Sequence, residues 1–100
     1  MITINEFLKL KNNEIKDIIE NLNSPFNSHD FIERLTHKFE GEYIEYLNYY
    51  KGKGAFRTVH GIIAKYLSES SNLFNIKKEN KVKNKNVFGD FDYIQEWSKT

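Results

Sequence analysis

Cysteine is absent from the 100 residues, and proline and tryptophan occur once each. Without thiols, a disulfide framework and any Cys-based zinc or iron–sulfur centre are excluded. No stretch approaches the roughly 20 apolar residues that span a bilayer, so no membrane partner is expected. The opening Met1-Ile2-Thr3-Ile4-Asn5-Glu6 lacks a basic region followed by an apolar run. No secretory signal is read there, and a cytoplasmic protein is expected. An excess of either charge is missing too: 15 basic and 14 acidic side chains leave a formal charge of +1. The length suits one compact domain over residues 1–100 and is short for two.

What is present is an unusual share of aromatic rings. Apolar residues make up 39% and aromatics 15%, with eight Phe and six Tyr. Each ring buries a large area, which lets a short chain hold a core. Lys, Asn and Ile supply 36 residues between them, the bias an AT-rich gene would encode, so position carries more meaning than number. Position is telling for charge. Residues 1–50 carry a net −4 and residues 51–100 a net +5. A basic half invites an anionic partner, while a solvated face is the plainer explanation.

Thr3-x-x-Glu6 has capping-box spacing, which predicts a helix from about Ile4 with Phe7 and Leu8 on its apolar face. Asn12-Asn13 interrupts it or caps a second helix, whose Ile15, Ile18, Ile19 and Leu22 follow helical spacing. Asn23-Ser24-Pro25 ends that run, and Phe26 stands in a short extended piece. Ser28 or Asp30 is expected to cap the next helix, with Asp30-x-x-Glu33 as its capping box and Phe31, Ile32, Leu35 and Phe39 facing the core. After Gly41 a further helix is predicted with a stripe of Tyr43, Ile44, Leu47 and Tyr50, closed by Gly52. The clearest helix has Val59, Ile62, Ile63, Tyr66 and Leu67 on one face, Thr58 as its expected N-cap and Ser70-Ser71-Asn72 as its end. Leu73–Ile76 reads as a short strand, Lys77–Asn86 as a mobile basic loop, Val87–Asp90 as a return, and Phe91–Trp97 as a second strand, with a short helix from Tyr93 as the alternative. The expected class is mainly α with a small C-terminal β-hairpin.

That order of elements resembles the winged helix–turn–helix fold over roughly residues 13–97. The resemblance makes Ser28–Phe39 the first helix of the motif, Thr58–Glu69 the recognition helix and Lys77–Asn86 the wing tip. Residues 41–54 depart from it by placing an extra helix where a short turn is usual. It implies a small regulator that binds nucleic acid, double-stranded DNA before RNA, and for which a homodimer would be natural.

The residues can be weighed against that role. Opposite the apolar stripe, the 58–69 helix carries Arg57, Thr58, His60, Gly61, Ala64, Lys65 and Ser68 at its start and along its outer side. Arg57 and Lys65 suit phosphates or base edges, and Arg can bond both guanine acceptors at once. Gly within a helix costs about 1 kcal/mol relative to Ala, so Gly61 needs a reason: close packing inside the protein, read first, or close approach of a ligand. Lys77, Lys78, Lys81, Lys83 and Lys85 would bind phosphate without reading sequence. A protein-binding inhibitor or adaptor is the alternative, using the acidic, Tyr-rich segment 30–50 through Glu42, Glu45, Tyr46 and Tyr49. His29, Glu33 and His37 lie i, i+4, i+8, too spread along a helix to share one ion easily. No catalytic constellation and no Gly-rich phosphate loop is found, so a binding protein without cofactor or metal is expected rather than an enzyme.

Overall fold

The computed structural model describes residues 1–85 and 90–100. Among them are five helices: α1 (Ile4–Leu10), α2 (Asn12–Glu20), α3 (Ser28–Lys38), α4 (Glu40–Tyr49) and α5 (Ala55–Glu69). Three strands, β1 (Phe26–Asn27), β2 (Ile76–Lys85) and β3 (Phe91–Lys99), form an antiparallel sheet in the order β1-β3-β2. The chain is therefore an α+β protein. No described helix is long and apolar enough to cross a membrane.

The N-terminal signals act locally. Thr3 Oγ1 accepts from Glu6 N at 3.1 Å and starts α1. Lys11 joins α1 to α2, whose Ile15, Ile18 and Ile19 are buried as their spacing predicts. The cap of α3 lies one step earlier than expected. Asn27, rather than Ser28 or Asp30, is the N-cap, and it forms a capping box with Asp30: Asp30 N donates to Asn27 Oδ1 at 2.8 Å and Asn27 N to Asp30 Oδ2 at 3.3 Å. Asn27 is the last residue of β1, so extended backbone and cap coincide, as an N-cap requires.

Two helices differ from expectation. In α4 the buried residue is Tyr46, with Tyr43, Leu47 and Tyr50 packed beside it, while Ile44 is 55% exposed. Positions 43, 46, 47 and 50 themselves follow i, i+3, i+4, i+7, so the stripe was shifted by one ring. Tyr46 fits because its hydroxyl leaves the core at the chain start, donating to Ile2 O at 2.8 Å. Helix α5 begins three residues before Thr58. Its N-cap is Gly54, at φ +65°, a left-handed conformation that glycine adopts without strain. Thr58 lies inside the first turns, with its hydroxyl donating to Lys53 O at 3.1 Å. Val59, Ile63, Tyr66 and Leu67 are buried as predicted.

The C-terminal region is more ordered than its composition implies. Leu73 to Asn75 forms a turn rather than a strand, and the expected basic loop is strand β2 as far as Lys85. Asn86 to Gly89, the expected loop end and all of the expected return but Asp90, lie outside the described residues. Strand β3 pairs with β2 along its length, from Ile76↔Lys99 to Lys85↔Phe91, with an irregularity between Lys78 and Lys81. Strand β1 covers only Trp97 and Glu96 of the other edge. From Gln95 outward the sheet is thus a two-stranded arm.

Trp97 anchors the base of the sheet. It is 2% exposed, faces Phe26 across the ladder, and its Nε1 donates to Ser28 Oγ at 3.0 Å. Fully burying a side chain of this kind stabilises by about 2–3 kcal/mol. The indole proton also meets an acceptor, so no penalty for an unmade bond offsets that gain. Tyr66 links α5 to α2 through a 2.6 Å bond from its hydroxyl to Asn12 Oδ1.

Candidate functional site

The arm has two chemically distinct faces. Side chains alternate along a strand, and directly paired residues share a face. The register pairs Lys81 with Gln95, Lys83 with Tyr93 and Lys85 with Phe91. One face therefore carries Lys81, Lys83, Lys85, Phe91, Tyr93 and Gln95. Val82, Asn84, Asp92, Ile94 and Glu96 alternate to the other. Among the described residues of the arm, the lysine face bears no carboxylate. Phe91 is 64% and Tyr93 68% exposed. Lys83 Nζ and Lys85 Nζ stand 5.6 and 5.7 Å from the Phe91 ring centroid, within cation–π range.

This face continues inward to Trp97 and Ile76, both buried. It is thus the face of the sheet that is buried at its base. Lys78, directly across from Trp97, reaches over the indole at 5.8 Å. Lys77 pairs with Ser98 and belongs to the opposite face. The five lysines that composition groups together are divided by the register into a set of three on the arm, one over Trp97 and one behind.

Helix α5 presents a second surface. Arg57, Gly61 and Lys65 are exposed at four-residue spacing, with Ala64 and Ser68 beside them half-buried. A Cβ placed on Gly61 would meet no atom within 4 Å. Close packing inside the protein, the reason read first from the sequence, is therefore not why glycine stands there. Thr58 is half-buried at the edge of this stripe.

His60 is turned away from the stripe. Its Nε2 lies 2.6 Å from the Tyr43 hydroxyl, and the two rings stack with centroids 5.7 Å apart. Burial, and after it the neighbouring His29, holds the His60 imidazole below its usual 6.5. Burial raises the Tyr43 phenol above its usual 10.0. Both shifts favour a neutral pair, with the hydroxyl donating to an unprotonated Nε2. The pair lines an open cleft of about 590 Å³ between α3, α4 and α5, together with His29, Glu33 and His37 of α3, Glu40 and Ile44 of α4, and Phe56 of α5. His29 Nε2 and Glu33 Oε2 are 3.8 Å apart. Among the described residues no three His, Asp or Glu side chains are grouped to hold a metal ion.

The acidic segment does not present all of its expected contacts. Tyr46 is buried, 6% exposed, so it offers no ring to a partner. Its phenol is held above the usual range by burial first and then by Glu45, Glu6 and Glu42. Tyr49 is 67% exposed and Glu45 is exposed, while Glu42 is half-buried. Sequence reasoning overlooked Phe91, Tyr93, Phe56 and Tyr43 as surface or cleft groups. The first two had a signal: alternation in Phe91-Asp92-Tyr93-Ile94-Gln95 puts both rings on one side of any strand.

No protein-family model, curated protein or solved structure matches the chain.

Proposed function

We propose that this chain is a small DNA-binding domain of winged-helix type, with α5 as the helix offered to a duplex and the β2–β3 arm as its wing. The observation that carries the proposal is the alignment of Lys81, Lys83 and Lys85 on one face of the arm, which bears no carboxylate among the described residues. At about 3.4 Å per residue the backbone positions of these three lysines extend over about 14 Å, a reach suited to several successive phosphates. The exposed Arg57–Gly61–Lys65 stripe supports the same reading. Glycine lets a backbone approach closely, and the flanking cations suit phosphates or guanine edges. Element order supports it as well, with α4 as the departure from the winged-helix pattern. His60, turned into the cleft and bonded to Tyr43, takes no part in this interface.

The test is a titration of a labelled random duplex, followed by anisotropy over a salt series. Micromolar binding with a log–log salt slope of roughly −3 to −5 is expected. Reversing Lys81, Lys83 and Lys85 to Glu weakens binding to every sequence and removes roughly three units of slope, about one per lost phosphate contact. Arg57→Ala weakens binding and relaxes sequence preference. Unchanged affinity in both variants removes the proposal.

A second reading, an adaptor that binds another protein, is favoured by the cleft, where Ile44 and Phe56 are 55% and 44% exposed beside Glu33 and Glu40. Tyr49 and Glu45 would extend that surface. Retention of a co-purifying protein by both Ile44→Asp and Tyr49→Ala would count against it.

A further inference from the structure

The arm holds more apolar surface than phosphate binding calls for. Phe91 and Tyr93 are large rings kept in solvent, far out on an element whose described residues contribute no buried side chain beyond Trp97. Lysines alone would protect the open edge of β2 from pairing with another strand. They would not require two exposed rings beside them. Residues two apart on a strand stand about 6.8 Å apart. Successive stacked bases in one DNA strand are about 3.4 Å apart, so the two rings are separated by about two stacking steps, enough for one base to lie between them. Across the ladder Lys83 and Lys85 sit directly opposite the rings, one strand spacing of about 4.8 Å away. Rings for bases on one strand and ammonium groups for the backbone on its neighbour make a combination that suits unpaired nucleic acid. A paired base offers no open π-face, whereas an unpaired one stacks on aromatic side chains whatever its identity.

We infer that the Phe91/Tyr93 face of the arm is a stacking platform for single-stranded DNA, so that the ligand is a duplex with an adjoining unpaired segment. The inference rests on the DNA-binding reading and deepens it: α5 and the arm lysines meet duplex phosphates, and Phe91 and Tyr93 take bases where the adjoining strand is unpaired. The lysines hold the strand's backbone while Phe91 and Tyr93 take its bases. Asp92 and Glu96 stay on the opposite face, where they do not repel phosphate.

The experiment compares a labelled 12-nucleotide oligo(dT) with a blunt 12-base-pair duplex, using the full chain and the variant F91A/Y93A. Both side chains are largely exposed, so the variant keeps the fold, and circular dichroism verifies this. The expected result is a loss of at least about tenfold in oligo(dT) affinity, with duplex affinity unchanged within twofold. A second variant, Phe91→Trp, keeps a stacking ring and adds a solvent-exposed indole to a chain whose one tryptophan, Trp97, is buried. Oligo(dT) is expected to bind it as tightly as the parent and to quench the added fluorescence. Equal oligo(dT) binding by F91A/Y93A and the parent overturns the inference and leaves the duplex reading standing. So does an unquenched Phe91→Trp, or duplex binding without any binding of oligo(dT). Failure of the parent to bind either probe at low salt removes the DNA-binding reading and this inference with it.

Discussion

The helical body and the hairpin arm use the same residue types in opposite ways. In the body, the buried polar aromatic rings point inward and their polar atoms find partners: Trp97 with Ser28, Tyr46 with Ile2, Tyr66 with Asn12. On the arm, Phe91 and Tyr93 point outward beside lysines. The body is held by apolar burial, with Val59, Ile63 and Leu67 of α5 meeting Ile4 and Leu8 of α1 in one core. The arm is held by its backbone ladder, and an isolated two-stranded hairpin is marginally stable by itself. It persists because β3 is rooted at Trp97. The difference separates stability, which resides at the base of β3, from candidate function, which resides four to six residues further out.

The sharpest way to break the comparison is along β3 itself. Trp97→Ala is expected to cost about 3–5 kcal/mol, read from urea unfolding, because it empties the anchor and strands the Ser28 hydroxyl. Tyr93→Ala, on the same face of the same strand, is expected to change stability by no more than about 0.5 kcal/mol. Equal losses would show that the arm shares in the core.

A smaller effect is expected where a buried tyrosine is compared with an exposed one. Tyr46→Phe removes the bond to Ile2 O and should lower stability by about 1 kcal/mol. Tyr49→Phe, at a 67% exposed ring, should leave the urea midpoint where it was. Of similar size but opposite sign is Gly61→Ala. With nothing within 4 Å of the new methyl group, it should raise stability by about 0.8–1 kcal/mol while weakening duplex binding. A variant that is more stable and binds equally well would remove α5 from the interface.

The smallest effect concerns pH. The His60 imidazole is held below 6.5 in the folded protein, so the unfolded chain takes up a proton more readily. Its contribution to stability is complete well above pH 6.5 and declines as pH falls below that value. His29, His37, Glu33 and Glu40 line the same cleft, so the measurement is a difference between the variant and the parent. Urea midpoints at pH 7.5 and 5.5 should fall less for His60→Gln than for the parent. Equal declines would show that the Tyr43–His60 pair does not couple to folding.

Much of the body was legible because its signals are local. The stripes of α2 and α5 follow from spacing alone, and the Thr3 cap from a four-residue pattern. The errors arose where a neighbour decided. Tyr46 rather than Ile44 is buried because its ring meets Phe7 of α1, with centroids 6.0 Å apart, and because its hydroxyl finds an exit at Ile2 O. Asn27 caps α3 because β1 must end there to pair with Glu96. Strand β2 carries no apolar alternation, and its Lys- and Asn-rich run reads as a loop. It becomes a strand because β3, rich in β-prone residues, supplies the ladder partner.

By itself the sequence determined the α+β class, the principal helices, the apolar stripes that meet in the core, and the concentration of positive charge in the second half. These depend on periodicity and composition, which act within a few residues. Only the tertiary structure decided which lysines stand together, that His60 turns into a cleft while Gly61 faces open space, and that Phe91 and Tyr93 share a face with Lys83 and Lys85. Those relations depend on register and on which helix lies beside which. Register is set by pairing across the ladder and by the anchoring of Trp97, and neither is written in any short stretch of the chain.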